Sequence, residues 1–176
     1  MNPWPDLRLI LQGIDWAIVG GVATRAYMPE RMTKDLDIVV HHSDGETVIK
    51  RLEEAGYRIA SRLAVSGYLM LAPDGTELDV IFGDYAWLKK ALADRGQDPA
   101  GYPVVRLPYL ALMKMSAPRA QDWADVYRML GWAVDTDLDE VRKVVAQYAP
   151  EDLEDLESLI FIGKREQETP PDSKEN

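Results

Sequence analysis

Apolar residues recur with two different periods along this chain, and the change falls at Pro108. Before it the apolar runs are short, rich in Val and Ile, and bounded by turn residues: "DWAIVG" (15–20), "DLDIVVH" (35–41), then "YRIASRLAV", "GYLMLAP" and "TELDVIFG", separated by "SG" and "PDG". Period two with β-branched residues predicts strands, and the separators are hairpin chemistry. From Pro108, well placed in a first helical turn, every segment has helical spacing: "PYLALMKMSA", "AQDWADVYRMLGWA", "DLDEVRKVVAQYA" and "PEDLEDLESLIFIG". The chain therefore reads as α/β (α+β), a mixed sheet flanked by helices with a helical C-terminal subdomain.

Shorter helices belong among the strands. "PDLRLILQG" carries Leu7, Ile10 and Leu11 at helical spacing and stops at Gly13. Gly21 to Tyr27 predicts a second helix that closes before Pro29, and "SDGE" (43–46) looks like a capping box opening a third that ends at Gly56. A fourth is expected at Tyr85 to Asp94, followed by the loop "RGQDPAGYP" and an edge strand "VVRL".

With 176 residues, 47% of them apolar, the chain has material for one well-buried core. The expected division is a core at 1–107, a helical subdomain at 108–163 and a disordered tail at 164–176, since "KREQETPPDSKEN" has almost nothing to bury. Twenty basic against 30 acidic residues give a net charge of −10, which argues against broad attraction to nucleic acid or an anionic membrane. There is no cysteine, so disulfide and thiolate-metal chemistry are excluded. No apolar run approaches the roughly 20 residues of a membrane span, and the first residues lack a signal pattern. The cytoplasm is the expected location.

On a strand over 35–41, Asp35 and Asp37 share one face while Leu36 and Ile38 take the other. Two carboxylates so close repel unless a cation lies between them, and hard oxygen ligands favour Mg²⁺ or Mn²⁺. Asp79, alternating with Leu78 and Val80, supplies a third acid on a strand able to pair beside the first, with Glu77 a weaker candidate of the same parity. Three such carboxylates can hold two metal ions for phosphoryl transfer. Gly20 and Gly21 end one strand and open a helix, so backbone amides can approach a phosphate there without a Cβ in the way. Together these features describe a cradle for a nucleoside triphosphate.

The segment "GGVATRAY…ERMTKDLDIVV" resembles the nucleotidyltransferase superfamily that includes DNA polymerase β, and within it the AbiEii group of toxin-type enzymes. The resemblance implies that Gly20, Gly21 and Thr33 lie at the triphosphate and that Asp35, Asp37 and Asp79 are catalytic metal ligands. In the helical part it assigns nucleotide binding to Lys114 in "ALMKMSA" and to Arg119 and Asp122 in "RAQDWAD", with Asp125 beside them; Gln121 stands where a Lys is usual. The implied reaction moves an NMP from an NTP to a hydroxyl, releasing pyrophosphate. The implied acceptors are tRNA or protein, with a cognate antitoxin as partner. Two other functions fit the same residues: an antibiotic nucleotidyltransferase of the aminoglycoside or lincosamide kind, whose cationic acceptor would suit an acidic surface, and a non-catalytic, antitoxin-like nucleotide-binding module.

Each residue also has a plainer reading. Asp35 and Asp37 fit a charged, half-exposed strand, Gly20 and Gly21 a tight turn, Lys114 a snorkelling side chain, and Arg119 with Asp122 a surface ion pair. One of Arg25 and Arg31 is expected to pair with an aspartate, and His41 and His42 to be strand-end surface.

Overall fold

A computed structural model describes residues 6–29, 33, 35–117 and 119–168. The chain divides into two compact units, Met1–Arg106 and Leu107–Asn176. The first unit is built on a seven-stranded mixed sheet, and four helices make up the second, which is the expected fold class.

The strands are β1 (Trp16–Val19), β2 (Leu36–His41), β3 (Arg58–Arg62), β4 (Gly67–Leu71), β5 (Glu77–Gly83), β6 (Gly96–Gln97) and β7 (Pro103–Val104), in the order β3-β4-β5-β2-β1-β7-β6. β2 pairs antiparallel with β1 and parallel with β5, and β1 pairs parallel with β7. Leu36, Ile38, Val40, Leu78 and Val80 are buried on one face of the central pair. Helices α2 (Gly45–Glu54) and α3 (Leu88–Ala93) add Val48, Leu52, Leu88 and Leu92 to that core. A Cβ on Gly45 would stand 3.0 Å from the Phe82 ring, so the first turn of α2 lies directly on β5.

The glycine pair opens α1 (Gly20–Ala23), one turn that tightens into a 3₁₀ turn at Thr24–Ala26. Three expectations are corrected. The helix expected at "PDLRLILQG" is a series of hydrogen-bonded turns over the described residues: it buries Leu7 and Leu11, leaves Leu9 82% exposed, and turns out at Gly13 with φ +80°. So few residues cannot sustain a regular helix without a packed face along their whole length. Ser43 does not cap α2. It sits in a 3₁₀ turn (His42–Asp44), its N–H donates to His41 Nδ1, and α2 begins two residues later. At the far end α7 continues past Gly163 to Glu168, so residues 164–168 are helical and not tail; Lys164 donates to the Ala133 carbonyl at 2.6 Å, which holds that turn. The rest of the expected tail lies outside the described residues.

In the second unit α4 (Leu107–Met115) is buried along nearly its whole length; α5 (Ala120–Trp132) and α6 (Asp135–Tyr148) pack on it, and α7 (Leu153–Glu168) packs on α5 and α6. Helices α5 and α7 touch backbone to backbone. A Cβ on Gly163 would overlap the Tyr127 carbonyl and stand 2.8 Å from Gly131 N, and one on Gly131 would meet the Gly163 carbonyl. Backbone cannot swing aside as a side chain can, so Gly163→Ala is expected to destabilise the protein by about 2–3 kcal/mol. Urea unfolding should show a lower midpoint at unchanged slope.

Candidate active site

The register of β2 and β5 decides the geometry. Asp37 lies directly opposite Asp79 in the parallel pair, Val19 flanks Asp37 on β1, and Leu69 of β4 flanks Asp79. Paired residues share a face, so the two carboxylates stand side by side on strands about 5 Å apart. Both are half-buried, while Leu36 and Leu78, their chain neighbours, are buried on the other face. Asp35, exposed, precedes the first residue of β2, and Glu77, also exposed, begins β5. Burial raises the pKa of Asp79 above its ordinary 3.8, and the charges of Asp35 and Glu77 push it the same way.

The glycine turn meets this pair. Gly20 has φ +63°, a conformation that L side chains rarely adopt, and a Cβ placed there would overlap the Asp37 carboxylate. Val19, Gly20 and Asp37 thus form one continuous contact, with the end of a strand, the start of a helix and a carboxylate converging on it. Thr24 is fully buried and donates from Oγ1 to the Gly21 carbonyl at 2.7 Å, which fixes the turn from inside. Thr33, half-exposed, stands in the segment leading to β2; Arg31 lies outside the described residues. Arg25 pairs with Asp98, as one of the two arginines was expected to pair with an aspartate. His41 Nδ1 is 2.8 Å from Ser43 Oγ and His42 packs edge-on to Phe82, both surface roles at the end of the strand.

The residues expected from the helical part form a separate constellation inside the second unit. Lys114 Nζ donates to Asp122 Oδ1 at 2.9 Å and to Asp125 Oδ2 at 2.8 Å, and all three residues are buried. The outer oxygens are satisfied as well: Arg119 Nε donates to Asp122 Oδ2 at 2.6 Å and Gln121 Nε2 to Asp125 Oδ1 at 3.0 Å. Burial pushes Asp122 up, but the hydrogen bonds from Arg119 and Lys114 outweigh it and leave its pKa below 3.8. Lys114 and Asp122 are committed to each other, while Arg119 and Gln121 reach solvent, Arg119 with 76% of its side chain accessible. Gln121 supplies a neutral donor to the carboxylate that Lys114 also bonds.

Among the described residues no group of three or more His, Cys, Asp or Glu is disposed to hold a metal ion unaided. Asp37 and Asp79 are brought together and Asp35 is left at the strand's entrance. Mg²⁺ commonly takes only one or two carboxylates and completes its shell with substrate phosphates and water. A paired carboxylate set against a glycine turn fits that mode.

No protein-family model and no curated protein matches the chain. Among solved structures it is similar to the lincosamide antibiotic adenylyltransferase LnuA bound to lincomycin, at 16% identity over 70% of this chain and 90% of that one, with a TM-score of 0.46. It is similar also to the antibiotic-resistance factor ANT(2'')-Ia in solution, at 15% identity over 89% and 87% of the two chains and a TM-score of 0.46. The crystal structure of ANT(2'')-Ia with adenylyl-2''-tobramycin gives 17% identity over 90% and 91%, with a TM-score of 0.42. Likeness at this level assigns no family and no activity.

The sequence did not disclose Asp98, which sits in "RGQDPAGYP" and is only 5% exposed. The signal was present in "DPAG", where an Asp heading a Pro-containing turn commonly accepts hydrogen bonds from the turn's own amides.

Proposed function

We propose that this protein is a metal-dependent nucleotidyltransferase that moves an NMP from an NTP to an acceptor hydroxyl. The observation that carries the reading is the contact of Gly20 with the Asp37 carboxylate, with Asp79 in register beside it. Amides at the head of α1 would receive triphosphate oxygens, and Asp37 and Asp79, with Asp35 at the entrance, would hold Mg²⁺ or Mn²⁺ against the same phosphates. The metal would neutralise charge on the reacting phosphate. The acceptor oxygen attacks the α-phosphorus, the bond from that phosphorus to the bridging oxygen breaks, and pyrophosphate leaves. Asp79 is assigned to assist the departure of the acceptor's proton. In the core Thr33 is assigned to the nucleotide as well; within the helical unit Asp122 accepts from both Lys114 and Arg119.

A net charge of −10 favours a protein or small-molecule hydroxyl over the 3′ end of a tRNA, because each RNA phosphate calls for a cation. A toxin-type role with a cognate antitoxin and an antibiotic-modifying role are both forms of this chemistry. Transfer from α-labelled NTPs into the RNA, protein and small-molecule fractions of a cell extract tests the reading, and absence of label from all three overturns it. No helix among the described residues is long and apolar enough to cross a membrane.

Asp79→Asn removes a carboxylate that burial and two neighbouring charges disfavour, so the variant is expected to melt about 1–3 °C higher, an effect of under 1 kcal/mol after solvent screening, while transfer is lost. The sign follows from linkage. A carboxyl with a raised folded-state pKa weakens the fold at neutral pH and ceases to do so as pH falls through that pKa, so the advantage of Asn should shrink in acid. Calorimetric melting at pH 7 and in acid checks both statements.

A further inference from the structure

The turn that carries Gly20 and Gly21 is gripped at three points by a hairpin that the proposed chemistry does not use. Val105, the residue after β7, donates its N–H to the Ile18 carbonyl at 3.1 Å and accepts the Tyr27 hydroxyl on its own carbonyl at 2.9 Å. One residue thereby clamps the segment on both sides of the glycine pair. The third grip is ionic. Arg25, one residue after the Thr24 that bonds the Gly21 carbonyl, directs Nε to Asp98 Oδ2 at 2.9 Å and donates to the same oxygen from Nη2. The other oxygen, Oδ1, accepts the amides of Ala100 at 2.9 Å and Tyr102 at 2.8 Å. The Asp98 side chain is 0% accessible and that of Arg25 13%, so this is a buried charge whose hydrogen-bonding capacity is spent on the hairpin loop and on the glycine turn.

We propose that Asp98 is a positioning residue for the triphosphate turn, acting through Arg25. The proposal rests on the nucleotidyltransferase reading. A helix of one turn has little rigidity of its own. Its amides keep a fixed direction only if something outside it fixes the segment, and a fully engaged buried carboxylate bonded to an arginine is a stiff strut. Oδ1 and Oδ2 divide the labour between shaping the loop and holding the turn.

That division makes the proposal testable. Asp98→Asn keeps an amide oxygen for Ala100 and Tyr102 but cannot hold Arg25 as a carboxylate does, whereas Arg25→Gln leaves the loop and removes the strut from the other side. The probe is inorganic tripolyphosphate with Mg²⁺, titrated calorimetrically, which asks about phosphate cradling without a base or an acceptor. Each single variant is expected to bind about fivefold more weakly or worse, with the double variant no weaker than the weaker single, because both changes cut one connection. Arg25→Lys, which retains a charged donor for Asp98, should recover part of the affinity. A merely structural role would lower the melting temperature and the fraction of competent protein, leaving the Kd of the folded fraction unchanged. Unchanged Kd in both single variants, or losses that multiply in the double variant, overturns the strut. If the wild-type chain itself fails to bind magnesium tripolyphosphate, the triphosphate turn is overturned and the strut with it.

Discussion

Asp37→Ala is expected to lower nucleotide transfer by on the order of 10³-fold or more, since a carboxylate that anchors the metal supports several kcal/mol of transition-state stabilisation. The fold should survive. Asp37 projects from the half-exposed face of β2, and the residues that secure that strand, Leu36, Ile38 and Val40, are on the other face at 1% exposure or less. The discriminating measurement is therefore single-turnover transfer alongside a melting curve: activity gone with the melting temperature nearly unchanged. Wild-type rates in Asp37→Ala would remove the pair from the chemistry and leave the glycine contact as packing alone. Asp37→Asn sharpens the comparison, because it keeps the side chain's volume against Gly20 and discards only the charge.

The second large effect concerns stability. Lys114→Met removes an ammonium that bonds both Asp122 and Asp125, two buried carboxylates that keep Arg119 and Gln121 among their partners. Breaking one side of a buried ion pair typically costs about 3–5 kcal/mol, a fall of about 10 °C in melting temperature for a chain of this size. Much of that arises from stranded charge, so Lys114→Met combined with Asp125→Asn should recover more than half of it. In the wild type Asp122 has a lowered pKa, so it stabilises the fold above pH 3.8, its ordinary value, and that contribution is lost as pH falls through the folded-state value. In Lys114→Met the balance shifts toward burial and the carboxyl rises. The variant's deficit is then largest near neutrality and shrinks in acid, and paired melting curves at several pH values would show it.

Much of this was legible in the chain, and the rest was hidden for identifiable reasons. The alternation of "DLDIVV" and "ELDVIF" assigned opposite faces to the leucines and the aspartates, and Leu36, Leu78, Asp37 and Asp79 occupy those faces. What alternation does not contain is register. A shift of two residues would preserve every face and still separate Asp37 from Asp79, so their pairing is decided by contacts made elsewhere in the sheet. β6 escaped notice because Gly96–Gln97 carries no apolar signal; it exists through its pairing with β7. The Lys114 cluster was legible as residue types and not as a network, because its partners lie on the next helix, across the break between α4 and α5. A surface ion pair between Arg119 and Asp122 was the plainer expectation; Asp122 is 3% exposed and only Arg119 reaches solvent.

The parallel pairing of β2 with β5 has a kinetic meaning. Parallel neighbours are never joined by a tight turn, and here α2 and the β3–β4 hairpin intervene before β5 can close on β2. The hairpin and helix form from local contacts, but the step that sets Asp37 beside Asp79 must await a long loop closure, whose entropy opposes it until the strand pair is complete. A chain emerging from the ribosome therefore has its glycine turn and first acid strand long before it has a second carboxylate to set beside them. On the proposed reading, transfer activity should appear only after β5 has closed on β2.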